Sequence, residues 1–179
     1  PSGNVHGMPL AAALHVDNTN HQINEVEEDA KWYWERMKML GGNKPKVDIR
    51  HLIYLGLRDF EEAEKQLIEE LGITQFSVPI VRATGVQKIV DDCLLQLSSC
   101  DMLYISFDVD SMDCDAVSYG TGTPVPTGFF VEEIISIFDA FISSNKVKCI
   151  EFAEINPLLD NKGNKMAETA FQVLAHVSA

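Results

Sequence analysis

Apolar residues recur along this chain in two alternating patterns. Stretches with a period of three to four residues are typical of amphipathic helices, and short, nearly continuous apolar runs rich in β-branched residues are typical of buried strands. The patterns predict helices at 25–40, 59–72, 84–97, 130–144 and 164–177, and strands at 51–57, 75–80, 102–110 and 147–155. This alternation predicts an α/β fold: an open parallel sheet with helices on both faces, in three layers, forming a single domain over residues 1–179.

Local signals indicate where individual helices begin. Asn24 is a candidate N-cap for the first helix, and Thr84 can cap the third. Asp59, followed by Glu62, gives a capping-like start to the second. We expect the aromatics of the first helix, Trp32, Tyr33 and Trp34, to pack in the core or against another subunit. The apolar face of this amphipathic helix consists of Val26, Ala30, Tyr33, Met37 and Leu40.

Composition narrows the possible partners. The formal net charge is −13 over 179 residues, and only short basic groups such as Lys44 and Lys46 occur, which argues against nucleic-acid binding. The apolar stretches fall far short of the ~18 residues that a membrane-spanning helix needs, and no basic-then-apolar segment suggests a signal peptide. We therefore expect a soluble, cytoplasmic protein without a nucleic-acid or membrane partner.

The cysteines give no sign of a metal site or a disulfide framework. Four are present, without CxxC or Cys/His zinc spacing, and three of them lie in or beside apolar runs. This usage indicates reduced, structural thiols. Cys114 differs because it lies in a polar loop, where it is expected to be exposed.

Acidic residues collect where predicted strands end, and ligands of parallel sheets bind at that edge. In the run SFDVD a strand period of two places Asp108 and Asp110 on one side. Two close carboxylates either share a proton or hold a cation, and their hard oxygens suit Mg²⁺ or Mn²⁺. A turn of two aspartates packed at the end of the sheet without metal is the alternative.

Glu154 and His6 are the other candidates for chemistry. Glu154 lies within an apolar run, and a buried acid is expected to have a cationic partner, either an internal arginine (Arg58 or Arg82) or a substrate guanidinium. His6, in the glycine-bracketed loop SGNVHGMPL, is a candidate proton carrier.

Four segments, in this order along the chain, together resemble the ureohydrolase family: SGNVHGMPL, GLRD, SFDVDSMD with its GTGTP continuation, and EINP. This family includes arginases, agmatinases and formimidoylglutamases, and the chain is most similar to bacterial arginases. The resemblance implies the C-terminal part of a larger catalytic domain, because family motifs that resemble GGDHS and DxHxD do not occur here.

The resemblance also implies roles for individual residues. Asp108 and Asp110 match two of six ligands of a dimanganese centre, whose shared hydroxide attacks the guanidinium carbon of L-arginine to release urea and L-ornithine. Glu154 matches the acid that holds the guanidinium, and His6 the imidazole that carries a proton to the departing amine. The implied substrate contacts are Ser2, Asn4, Asp59, Glu61 and Thr123. Relatives are commonly trimers or hexamers, so a homo-oligomer is expected.

Several alternatives remain open at this stage. Formimidoylglutamase or agmatinase activity is the nearest competitor, although Ser2 and Asn4 favour a substrate with an α-carboxylate. A non-catalytic interaction or structural fragment that lacks the other metal ligands is a second possibility, and a Mg²⁺-dependent phosphohydrolase is a third. We expect these 179 residues alone to bind Mn²⁺ poorly, because two carboxylates leave most coordination positions to water.

Overall fold

The computed structural model describes residues 7–22 and 24–179. They belong to two compact units, one formed by residues up to 53 together with 60–74, and the other by 54–59 together with 75–179. Among the described residues the helices are α1 (Pro9–Leu14), α2 (Glu28–Lys38), α3 (Glu62–Leu71), α4 (Val78–Thr84), α5 (Val86–Gln96), α6 (Val131–Ile142) and α7 (Lys165–Val177). The strands are β1 (Ile53–Leu55), β2 (Thr74–Phe76), β3 (Leu103–Asp108) and β4 (Val147–Ala153).

In the first unit, α2 presents a different face to the interior from the one predicted. Tyr33 and Leu40 are 65% and 70% exposed, whereas Lys38 is only 5% exposed. Lys38 Nζ and Trp34 Nε1 both donate hydrogen bonds to the carboxylate of Asp17, which itself remains exposed. The inward position of Lys38 is therefore satisfied by an ion pair at the edge of this unit. Its N-cap position is Glu27 rather than the predicted Asn24.

The beginning of α3 also differs from the prediction. Glu61, not Asp59, occupies the N-cap position, and its backbone N–H donates to the Glu64 carboxylate at 2.7 Å. The helix ends at Gly72, as predicted, in a left-handed conformation with φ of 63°. A capping box is therefore present two residues later than the sequence suggested.

The second unit begins with a segment whose structure the apolar pattern predicted wrongly. The stretch 75–80 was expected to be one strand, but β2 ends at Phe76 and α4 begins at Val78. Pro79 lies in the first turn of α4, where a backbone N–H is not needed, so proline favours the helix there. Gly85, rather than the predicted Thr84, is the N-cap residue of α5.

The core of the second unit lies between helices and the β3–β4 pair. These strands are parallel, with Phe107 opposite Phe152, which confirms the predicted strand direction for this pair. Phe107 contacts Phe138 of α6 and Phe152 edge to face, with ring centroids 5.5 and 5.3 Å apart. Alternate residues of β3 point the other way, and Tyr104 is 60% exposed. β1 and β2 form a second two-stranded sheet.

Two further observations complete the fold. Cys114 is buried at 1% exposure, so the expectation that it is exposed is wrong. The loop that carries it folds inward, because its neighbour Asp113 accepts backbone hydrogen bonds from Asp115 and Ala116 at 3.0 Å.

Within the described residues no helix combines the length and the apolar character that crossing a bilayer requires.

Candidate functional site

Asp108 and Asp110 lie in a tight turn at the carboxyl end of β3. The strand ends at Asp108, and a 3-10 turn over Val109–Ser111 follows. Asp108 Oδ1 accepts the Asp110 backbone N–H at 2.8 Å, while Val109 between them is fully buried. The two carboxylates therefore lie close together because of a capped turn. The predicted continuation of strand alternation through Asp110 is wrong.

A glycine- and threonine-rich loop holds the second of these carboxylates. The hydroxyls of Thr121 and Thr123 donate to the two carboxylate oxygens of Asp110. Thr123 matches the predicted site residue, and its side chain remains exposed. Thr121 is 1% exposed and was not predicted as a site residue. The signal that could have found it is the spacing of two in TGT, which directs both hydroxyls to one neighbour in an extended segment.

The same loop is fixed to the segment that follows β4. Asn156 N–H donates to the carbonyl of Gly120 at 2.8 Å, and Ser118 Oγ donates to Asp160 Oδ2 at 2.9 Å. Gly120 is required at its position, because a Cβ there would lie 2.6 Å from Asp160 Oδ2. The threonines that contact Asp110 therefore follow directly after residues that are hydrogen-bonded to the segment behind β4.

Glu154 follows β4 directly and lies against this loop. Its φ of 63° places it in the left-handed region, which is uncommon for a residue with a side chain. A Cβ built on Gly122 would lie 3.5 Å from Glu154 Oε2, so the carboxylate sits beside the residue between the two threonines. The backbone turn therefore directs Glu154 toward the loop that holds Asp110.

The expectation that Glu154 is buried is wrong, and one of its two alternative partners, an internal arginine, is not found. The residue is exposed, not buried, because β4 ends before it at Ala153. Neither arginine proposed as its partner contacts it. Arg82 pairs with Glu133 at 2.7 Å, and Arg58 donates to backbone carbonyls.

The three carboxylates influence one another electrostatically. Desolvation by the surrounding protein, followed by the charges of Asp108 and Glu154, raises the pKa of Asp110 to about 6, against the lowering effect of Thr123 and Arg58. The pKa of Asp108 is also raised, mainly by desolvation and then by Glu154, although part of its side chain remains accessible to solvent. Among the described residues no lysine or arginine forms an ion pair with any of the three.

These features fit a hard divalent cation in ligand type but not in ligand number. Carboxylates that lie close together without a basic partner suit a cation bound through oxygen. Within the described part of the chain, however, no group of three or more His, Cys, Asp or Glu side chains could hold a metal ion. Asp108 and Asp110 could supply two ligands of such a site.

The other predicted site residues are distributed differently. Asp59 is exposed and belongs to the second unit, whereas Glu61 is exposed and belongs to the first unit as the N-cap residue of α3. Ser2, Asn4 and His6 lie outside the described residues. Their roles, and those of Asp59 and Glu61, stay predictions.

Comparison with known proteins agrees with the resemblance of the motifs. The family model described as "Arginase family" matches residues 1–179. The arginase of Bacillus subtilis (strain 168) is 30% identical over 174 residues, which cover 97% of this chain and 53% of that protein. This chain therefore spans about half the length of the curated relatives that it matches.

Solved structures give the same result for the fold. A crystal structure of Bacillus subtilis arginase matches with a TM-score of 0.81 at 30% identity, covering 99% of this chain and 55% of that one. The formimidoylglutamase of the same organism matches with a TM-score of 0.67 at 24% identity, over 74% of this chain and 41% of that one, a likeness that shows the fold alone. The expected α/β fold is confirmed, and the chain belongs to the arginase family.

Proposed function

We propose that this chain contributes to the hydrolysis of the guanidinium group of L-arginine, in which water is consumed and L-ornithine and urea are released. The observation that carries this proposal is that Asp108, Asp110 and Glu154 lie close together at one glycine- and threonine-rich loop, with no ion pair to a lysine or arginine among the described residues. The arginase relatives support the choice of reaction. Because the chain spans only about half their length, the activity is proposed for the full-length protein.

Asp108 and Asp110 would hold manganese. When bound, two Mn²⁺ ions would lower the pKa of a water molecule and make it a nucleophile near neutral pH. The chain's own contribution is to keep both carboxylates ionised and correctly oriented. For Asp110 this is done by Thr121 and Thr123, whose hydroxyls orient the carboxylate and oppose part of the rise in its pKa, and for Asp108 by the Asp110 backbone N–H.

Glu154 would bind the substrate guanidinium. A planar guanidinium presents paired N–H donors that match the two oxygens of a carboxylate. Glu154 is exposed and has no ion-pair partner among the described residues, so it is available for such a contact. Its position beside Gly122 would orient the guanidinium toward Asp110.

The remaining proposed roles concern the amino-acid end of the substrate and the leaving group. Ser2 and Asn4 would bind the α-carboxylate and Glu61 the α-amino group, and Asp59 and Thr123 are the other proposed substrate contacts. His6 would deliver a proton to the departing amine. The full-length protein is proposed to be a cytoplasmic homo-oligomer, a trimer or a hexamer, and its mass in solution tests this assembly.

The decisive experiment compares three substrates with the full-length protein after incubation with Mn²⁺. Urea release would be measured from L-arginine and from agmatine, and formamide release from formimidoylglutamate. We expect turnover of arginine to exceed that of the other two. Turnover of only agmatine or only formimidoylglutamate would overturn the choice of substrate, and no turnover of any of them would favour a non-catalytic role.

A further inference from the structure

The side chain of Arg58 donates hydrogen bonds only to backbone carbonyls among the described residues, several of them in the turn that carries Asp110. It follows β1 in the GLRD segment, and its guanidinium donates to five backbone carbonyls in the second unit. These are Asp110 O at 2.6 Å, Ser111 O and Val125 O at 3.0 Å, Gly56 O at 3.2 Å and Met112 O at 3.4 Å. Three of the five belong to consecutive residues of the turn that carries the aspartates, residues 108–112, here called the aspartate turn.

The guanidinium of Arg58 has no carboxylate partner among the described residues. Arginine usually pairs with a carboxylate through two parallel hydrogen bonds, as Arg82 does with Glu133. Arg58 instead uses both terminal nitrogens on carbonyl oxygens, and its Nε is buried without a partner in the described part of the chain. Burying a guanidinium costs free energy because its charge loses water. At Arg58 this cost is offset by hydrogen bonds to backbone carbonyls, not by an ion pair, so the side chain holds the backbone segments together.

The aspartate turn has few other restraints on its carbonyls. Its own backbone contributes the hydrogen bond from Met112 N–H to Val109 O at 3.0 Å, and Phe129 N–H donates to Ser111 O at 2.9 Å. Arg58 is the donor recorded for the Asp110 carbonyl. That peptide group is attached to the Cα that bears the Asp110 side chain, so holding it in place holds the backbone from which the carboxylate extends to Thr121 and Thr123.

From these contacts we infer that Arg58 is a positioning residue for the metal ligands Asp108 and Asp110. Its guanidinium holds the carbonyls of the aspartate turn and links the turn to Gly56 after β1 and to Val125 in the threonine-bearing loop. The inference rests on the proposed function only for the identity of the cation. Lysine cannot replace this role, because its single ammonium group cannot reach acceptors spread over both arms of a guanidinium.

The test uses Arg58→Lys and Arg58→Met in the full-length protein, with Arg82→Lys as a matched control. Arg82 also joins this region to a helix, through Glu133 and the carbonyl of Gly128, but it donates no recorded bond to the aspartate turn. Hydrogen exchange of the metal-free protein would be followed in peptides that cover 103–113. Mn²⁺ affinity would be measured by electron paramagnetic resonance of the free ion.

We expect both Arg58 variants to weaken Mn²⁺ binding about tenfold or more, as loss of groups that orient metal ligands commonly does. Exchange at 110–113 should accelerate in both, whereas peptides from α6 and α7 should be unchanged. Arg82→Lys should alter neither measurement. Unchanged exchange and unchanged Mn²⁺ affinity in Arg58→Lys would overturn the inference, and so would recovery of the parent's affinity by lysine alone, since charge rather than geometry would then matter.

Two further outcomes are distinguished by this design. If the parent protein binds no Mn²⁺, the proposed function fails, and the exchange measurement still decides whether Arg58 fixes the turn. If the variants do not fold, nuclear magnetic resonance of the parent protein tests whether the Arg58 guanidinium is held by its hydrogen bonds. Hindered rotation of the Arg58 guanidinium, seen as separate Nη resonances, would support the contacts, and free rotation would overturn the inference.

Discussion

Two pairs of aspartates in the second unit have similar positions in loops but opposite electrostatics. Asp113 and Asp160 are satisfied by the backbone. Burial alone would raise the pKa of Asp160, but N–H groups of Met166 and Lys162 and the Ser118 hydroxyl lower it below its usual value. Burial by itself would likewise raise the pKa of Asp113, but hydrogen bonds from backbone N–H groups bring that pKa below its usual value. Asp108 and Asp110, in contrast, have raised pKa values.

The difference indicates which acids build the loop and which remain available for a ligand. A carboxylate that accepts several N–H bonds is most stable when ionised and contributes to folding. A carboxylate that lies beside other carboxylates, and whose hydrogen-bond donors do not offset desolvation and repulsion, is stabilised most by binding a cation. Substitutions in the two pairs should therefore affect different measurements.

The largest expected effect is on metal binding. Asp110→Asn removes one charged ligand, and we expect Mn²⁺ affinity and urea release to fall at least ~100-fold. The melting temperature of the metal-free protein should change little, because an amide can still accept one threonine hydroxyl. Calorimetric titration with Mn²⁺ measures the first effect. A variant that binds Mn²⁺ like the parent would exclude Asp110 as a ligand.

A smaller effect is expected for the third acid of the site. Glu154→Gln keeps the size of the side chain but removes the charge that would bind a guanidinium. We expect kcat/KM for arginine to fall roughly 100-fold, which corresponds to about 2.7 kcal/mol, with Mn²⁺ affinity nearly unchanged. Steady-state urea release, measured alongside a Mn²⁺ titration, separates the two. A parallel loss of both would make Glu154 part of the metal site instead.

Asp160→Asn should affect stability before activity. The carboxylate accepts from Met166 N–H and Lys162 N–H at 2.8 Å and from Ser118 Oγ at 2.9 Å, and an amide replaces one acceptor oxygen with a donor. We expect a loss of about 1–2 kcal/mol in the free energy of unfolding. Urea denaturation measures it, with Asp91→Asn on the exposed face of α5 as the control. Equal effects in both variants would contradict the structural role of Asp160.

The smallest effect concerns pH. Because the folded-state pKa of Asp160 is below the ordinary value of 3.8, its contribution to stability is fully present above that value and is lost as the pH falls through the folded-state pKa. Below pH 4 the parent should therefore lose more stability than Asp160→Asn does. Denaturation curves from pH 6 to pH 2.5 test this. Parallel curves for the two proteins would show that Asp160 does not contribute.

Sequence patterns predicted the larger elements well and the short ones poorly. α5, α6 and α7 and both strands of the parallel pair lie within their predicted ranges, because long amphipathic periods and apolar runs reflect burial directly. The pattern missed α4, since six residues are too few to distinguish a strand from a helical turn. It also placed Tyr33 and Leu40 on the apolar face of the first helix, yet both are exposed in this chain, while Lys38 lies inward with its ammonium group bonded to Asp17.

The sequence by itself determined the acids at the strand ends and the family, because these depend on residue type and order. Only the tertiary structure decided that a capped turn brings Asp108 and Asp110 together, that Thr121 reaches Asp110, and that Arg58 donates to the aspartate turn. The contact of Arg58 joins residues 52 positions apart and that of Thr121 residues 11 positions apart, whereas the capped turn is local but departs from the strand alternation that the pattern predicted. Which residues meet depends on how the ends of β1 and β3 and the threonine-bearing loop pack together, and no local pattern of side chains encodes that packing.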